Sequence, residues 1–208
     1  MSSLVDLRNR ARVEKAFRKF LGDEETYLTF RQRSGLDAHP VDSLLGLNEF
    51  ERLAVWIYAS SSTWHAKINN GLWLQNHSGI IAGGEVSTVS AVLARALRKL
   101  PRYRGFVYRG YYTPYLDRFL RGSGFGIGDI YEWPTFLSAA KDPEKAYSGN
   151  VLFTILSRNG RVLGYYAPEP EEEEVLFTCL SRFRVRAIER WPDKAFIEMV
   201  EVHGPSKR

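Results

Sequence analysis

The spacing of apolar residues changes near Pro101, and that change constrains the fold of this 208-residue chain more than any other feature. Before Pro101 the spacing is helical. Leu4, Leu7, Ala11, Phe17 and Leu21 predict a basic amphipathic helix. Asn48 and Glu51 form a capping-box pair, after which Leu47, Phe50, Leu53, Ala54 and Ile57 line one face of a second helix. A third starts near Ser87, carries Val89, Leu93, Ala96 and Leu100, and stops at Pro101. After Pro101 the runs are short and strand-like: 106–108, 136–138, 151–156 and 196–202. Asn159-Gly160 predicts a hairpin turn into 161–163, and residues 182–186 alternate strictly. Helices followed by strands predict an α+β fold.

Composition narrows the function. The chain is 44% hydrophobic and 25% charged, which is globular, and its net charge of +5 predicts an acidic partner: nucleic acid, an anionic cofactor or an acidic protein. The charge-free stretch 68–84 is interrupted by Asn69, Asn70, Gln75, Asn76 and His77, so no membrane span is expected. Asp6, Arg8, Arg10 and Arg12 leave no room for a cleaved secretory signal. Cys179 stands alone, which excludes an internal disulfide, and His39, His65, His77 and His203 lack metal-ligand spacing, so no metal is expected. Gly122, Gly124, Gly126 and Gly128 alternate without a G-x-G-x-x-G register and read as a flexible loop leading into a strand. No P-loop Gly-Lys pair occurs.

The acidic run Glu169-Pro170-Glu171-Glu172-Glu173-Glu174 leads straight into Val175-Leu176-Phe177. A bare charge run is ordinarily a solvated loop. Here the last members are expected to begin a strand, on which Glu172 and Glu174 share a face. Two like charges side by side suit a site that stabilises a cation.

Three patterns fall in one order: Tyr108-Arg109-Gly110, then Phe136-Leu137-Ser138-Ala139-Ala140, then Glu172-Glu173-Glu174-Val175-Leu176. Together they resemble the arginine–serine–glutamate class of mono-ADP-ribosyltransferases, which includes vertebrate ecto-enzymes and many bacterial toxins. Upstream, Tyr58 to Ser62 with Ile68-Asn69 and Leu72 is similar to a helical segment of that family, and Gly128-Asp129-Ile130 also fits. The resemblance covers roughly residues 47–200. It implies a split β-sandwich behind an N-terminal helical layer, with NAD in the cleft between two sheets. The chain is then expected to be a single catalytic domain over 1–208, mainly helical to about 101 and mainly β over about 102–203.

The resemblance also implies roles. Glu174 would be the catalytic glutamate, stabilising the oxocarbenium-like ribose left when nicotinamide departs. Ser138 would orient Glu174. The family often has Ser-Thr-Ser there, whereas this chain keeps only the first serine, followed by Ala139 and Ala140. Ser138 to Lys141 also matches S-x-x-K, but no S-D-N or K-T-G accompanies it. Arg109 would hold a phosphate of NAD, and Gly110 would let the backbone approach nicotinamide. Asn69 and Tyr147 are further candidates for cofactor contact. Glu172 would orient and activate an arginine acceptor, with Tyr165 and Tyr166 in the substrate-recognition loop.

The expected activity is transfer of ADP-ribose from NAD, the only cofactor implied, to protein arginine. Two alternatives stay open. Residues 95–121 hold eight basic residues against Asp117, with tyrosines interleaved, which suits RNA or DNA as acceptor. Water as acceptor would make the chain an NAD glycohydrolase. The family resemblance further suggests a toxin or effector delivered by a specialised secretion system into a target cell, and an acidic immunity protein as neutralising partner.

Overall fold

The computed structural model describes residues 4–34, 46–60, 62–78, 83–122 and 126–202. Gly124, His39 and His203, named above, lie outside the described residues. Two units emerge, one of residues 1–100 with 165–170, the other of 101–164 with 171–208.

The first unit is helical: α1 (Leu4–Leu21), α2 (Glu24–Arg33), α3 (Glu49–Ser60), α4 (Ser62–Ser78) and α5 (Gly84–Lys99). Helix α5 packs against α1, α3 and α4, because Val89, Leu93, Ala96 and Leu97 form a fully buried stripe. Phe17 and Phe20 of α1 are also fully buried, and the Phe17 ring lies 5.6 Å from that of Phe50. The capping box at the start of α3 is reciprocal. Glu51 N–H donates to Asn48 Oδ1 (3.0 Å), and Asn48 N–H donates to Glu51 Oε2 (2.8 Å). Two helices escape the apolar-period reading. In α2 only Tyr27 is buried, and in α4, among the described side chains, only Ile68 and Leu72 are. The signal for α2 is its cap, Asp23, whose carboxylate accepts from Thr26 N–H at 2.7 Å. Helix α5 begins three residues before Ser87.

The second unit contains β1 (Arg102–Tyr111), α6 (Leu116–Gly122), β2 (Ile130–Trp133), β3 (Leu137–Ala140), β4 (Val151–Val162), β5 (Glu174–Phe177), β6 (Ser181–Arg190) and β7 (Ala195–Val202). Strand β4 lies antiparallel to β1 and parallel to β7, and the sheet continues through β6 to β2. Strand β3 joins the end of β1 (Tyr108 opposite Ala140) and pairs with β5. Strand β5 returns to the far end of β4 (Val162 opposite Val175). Strands β1, β3, β5 and β4 therefore close on one another, and the sheet doubles back as a split sandwich does. Val107, Leu137, Ala139, Phe153, Val175, Phe177, Phe183 and Val185 fill the interior. Phe177 packs edge-on against Phe183 with centroids 5.2 Å apart. Burying each such ring contributes about 2–3 kcal/mol.

The hairpin expected at Asn159-Gly160 does not form. Strand β4 runs unbroken through both residues. Between Ser157 and Gly160 the strand carries one extra residue against Tyr103–Gly105 of β1, which makes a bulge. The bulge's amides are satisfied locally. Arg158 and Asn159 N–H both donate to the buried Glu201 carboxylate at 2.7 Å, and Gly160 N–H donates to Ser157 Oγ at 3.1 Å. A turn signal is overridden because β1 and β5 flank this stretch of β4 on either edge.

Candidate active site

Side-chain alternation brings Ser138 and Glu174 together. On β3, Leu137 and Ala139 point into the core, so Ser138 and Ala140 point to the opposite face. On β5, Val175 and Phe177 point into the core, which leaves Glu174 and Leu176 on that same opposite face. The register sets Ala140 opposite Glu174 and Ser138 opposite Leu176, so Ser138 is the diagonal neighbour of Glu174. The Ser138 hydroxyl hydrogen-bonds the Glu174 carboxylate. Directly opposite Glu174, Ala140 presents a methyl where a serine would present a second hydroxyl.

Arg109 lies on β1 beside β3. Its Nη1 donates to the Ser138 carbonyl at 2.6 Å, so the arginine and serine strands are tied at the site itself. The electrostatics centre on Glu174. Burial pushes its carboxyl above the usual carboxylate range, and the charge of Glu172 pushes the same way. The Ser138 hydrogen bond and the Arg109 guanidinium oppose this without cancelling it.

Glu172 reaches this neighbourhood by a route other than the expected strand alternation. The strand begins only at Glu174, and Glu172 ends a 3₁₀ turn, Pro170–Glu172. Glu173 between them has φ +50°, in the left-handed region that side chains disfavour. A kink, not strand alternation, thus sets Glu172 near Glu174. The middle glutamate instead meets two lysines, Lys145 at 3.4 Å and Lys141 at 3.9 Å. Neither lysine was singled out as a site residue. The β3–β5 register brings Lys141 there, since Lys141 follows Ala140 as Glu173 precedes Glu174, and no sequence pattern marks that pairing.

Gly110 is required by the backbone packed against it. A Cβ there would sit 1.6 Å from the Tyr147 carbonyl oxygen. Likewise a Cβ on Gly149 would meet the Tyr111 backbone at 2.4 Å. The Tyr147–Gly149 backbone therefore lies directly on the end of β1, and the Tyr147 side chain is 74% exposed beside it. Asn150 secures the contact, accepting from Thr113 N–H (2.9 Å) and donating to its carbonyl (2.8 Å). Three candidates belong to the other unit. Asn69, on α4, donates from Nδ2 to the Tyr58 hydroxyl at 3.2 Å. Tyr165 and Tyr166 lie in a 3₁₀ turn, the first exposed and the second half-buried. Among the described residues no group of three or more His, Cys, Asp or Glu side chains is placed to hold a metal ion.

The family pattern described as NAD:arginine ADP-ribosyltransferase matches residues 10–206. The chain belongs to this family. It is 32% identical over 117 residues to Mav of Mycobacterium avium, named as an NAD(+)–arginine ADP-ribosyltransferase, covering 52% of this chain and 14% of that protein. It is 28% identical over 130 residues to the similarly named Vis of Vibrio splendidus, covering 56% of this chain and 51% of that protein. The aligned segments thus span about half or less of these relatives. The fold matches that of the type III effector XopAI from Xanthomonas axonopodis pv. citri at 18% identity and TM-score 0.74, over 92% of this chain and 88% of that one. It also matches Vis, solved with agmatine, at 23% identity and TM-score 0.64, over 94% and 88%. The α+β architecture, helices followed by a doubled-back sheet, is therefore that of ADP-ribosyltransferases.

Proposed function

We propose that this chain transfers ADP-ribose from NAD to arginine side chains of a protein target, releasing nicotinamide. The observation that carries the reading is Glu174: half-buried, bonded by Ser138, beside Arg109, and close enough to Glu172 to feel its charge. A fixed carboxylate of this kind stabilises the positive charge that develops on ribose C1′ as the bond to the nicotinamide nitrogen breaks. The bonding pair leaves with nicotinamide. Ser138 keeps Glu174 oriented, and Arg109 supplies the guanidinium suited to a phosphate oxygen of NAD. The residues fit NAD in this respect, offering one carboxylate for a ribose and one cation for a diphosphate. A guanidinium nitrogen of the acceptor then bonds to C1′ and its proton passes to Glu172. Agmatine, the ligand of the Vis structure, carries the same guanidinium and supports arginine as acceptor. Likeness to a type III effector supports a role as a delivered effector or toxin domain, and the net charge of +5 suits an acidic partner that neutralises it in its producer.

Two substitutions test the assignment. Glu174→Gln keeps the shape and removes the charge, and nicotinamide release should fall by about 100-fold or more. Retained turnover sinks the reading. Glu172→Gln should leave NAD hydrolysis nearly intact while abolishing transfer to agmatine. If agmatine transfer survives that change, Glu172 does not serve an arginine acceptor.

A further inference from the structure

We infer that Lys141 and Lys145 clamp Glu173 and thereby position Glu172 for the acceptor half of the reaction. The inference rests on the reading of Glu172 given above. The β3–β5 ladder ends at Ala140 opposite Glu174. One step beyond its end, Lys141 and Glu173 form a pair of opposite charges 3.9 Å apart. Lys141 is anchored from behind, its ammonium 5.4 Å from the centre of the Tyr103 ring. Lys145 closes the grip. It ends the 3₁₀ turn Pro143–Lys145, which Asp142 caps by accepting from Glu144 N–H at 2.9 Å. From there its ammonium donates to the Glu171 carbonyl at 2.5 Å and to the Glu173 carboxylate at 3.4 Å.

Those two acceptors flank Glu172. One cation thus bridges the residue before and the residue after the acceptor-side glutamate. The backbone at Glu173 is left-handed, a conformation that needs outside support in a residue with a side chain. The lysines provide that support, and they draw Glu173 to themselves, leaving Glu172 and Glu174 as the interacting pair. Lys141 and Lys145 are positioning residues here, acting through Glu172 on a guanidinium that must be held in near-attack geometry.

The double variant Lys141→Met/Lys145→Met tests this. Transfer to agmatine at saturating NAD should fall roughly tenfold. Acceptor-free nicotinamide release and KM for NAD should stay within about twofold, since neither lysine touches Glu174, Ser138 or Arg109 among the described contacts. Lys145→Arg, which keeps the cation, should restore most of the transfer. Independently of activity, the amides of 171–174 should exchange with solvent several-fold faster in the double variant. An unchanged ratio of transfer to hydrolysis overturns the inference, as does unchanged exchange. A parallel fall of both activities with a lowered melting temperature makes the lysines merely structural and also overturns it. Should the wild-type chain release no nicotinamide at all, the proposed function fails, and the exchange measurement still decides the clamp.

Discussion

Glu174 and Glu51 are held in opposite ways. Glu174 sits above the ordinary carboxylate range, so the folded chain binds a proton there more tightly than the unfolded chain does. Its ionisation therefore opposes folding. The penalty is absent below the unfolded value near pH 4.5, grows as pH rises, and is complete above the raised folded value. Glu174→Gln should accordingly raise the melting temperature at pH 7 by a few degrees, and the gain should shrink toward pH 4. A melting temperature that falls at pH 7 would mean that Glu174 is stabilising. The same shift places the acid limb of kcat/KM for nicotinamide release above pH 4.5, because only the ionised form stabilises the ribosyl cation. An acid limb below that value would contradict the burial argument.

Helices α3 and α5 are joined through the other carboxylate. Burial pushes Glu51 up, but the Lys99 hydrogen bond, the Asn48 amide and the charges of Lys99 and Arg95 outweigh it and hold the group below its usual range. Glu51 is fully buried, with Arg95 Nε and Lys99 Nζ each at 2.7 Å. It thus caps its own helix while meeting the last two turns of another. A depressed folded pKa contributes stability that is complete above the unfolded value and lost as pH falls through the folded one. Glu51→Gln loses the charge, and Glu51→Ala also loses the cap. The alanine variant should cost about 2–3 kcal/mol at pH 7, with the glutamine variant between it and wild type, in denaturant melts. Equal stability of all three would show that the apolar stripe of α5 alone holds these helices together.

For the whole molecule, a net charge of +5 coexists with five glutamates between residues 169 and 174. Glu173 of that run is paired with lysines, which localises the remaining negative charge near Glu174. A lysate incubated with tagged NAD and this chain should carry protease-sensitive label, since a focused negative site suits a guanidinium. Nuclease-sensitive label would instead assign the basic surface to nucleic acid. Expressed in a bacterial cytoplasm, the wild-type chain should slow growth and the Glu174→Gln chain should not. An acidic neutralising partner should restore growth and associate more slowly as salt is raised. Equal growth of the two chains would remove the toxin role.

Local signals determined much of this protein. The capping box at Asn48 and Glu51, the stripe of α5 and the alternation of β6 depend on residues a few positions apart, and each stands where the sequence places it. The order of three short motifs, through the family they resemble, marks Arg109, Ser138 and Glu174 as candidates, and each of those motifs is local. Tertiary structure decided what depends on neighbours distant in sequence. Asn159-Gly160 became a bulge because β1 and β5 flank β4 there and Glu201, from β7, satisfies its amides. Gly110 is a glycine because the Tyr147 carbonyl occupies its Cβ position. Glu172 meets Glu174 through a kink at Glu173, whose partners lie on the segment after β3. Periodicity records which way a side chain points within its own element, and it cannot record which distant backbone will press against it.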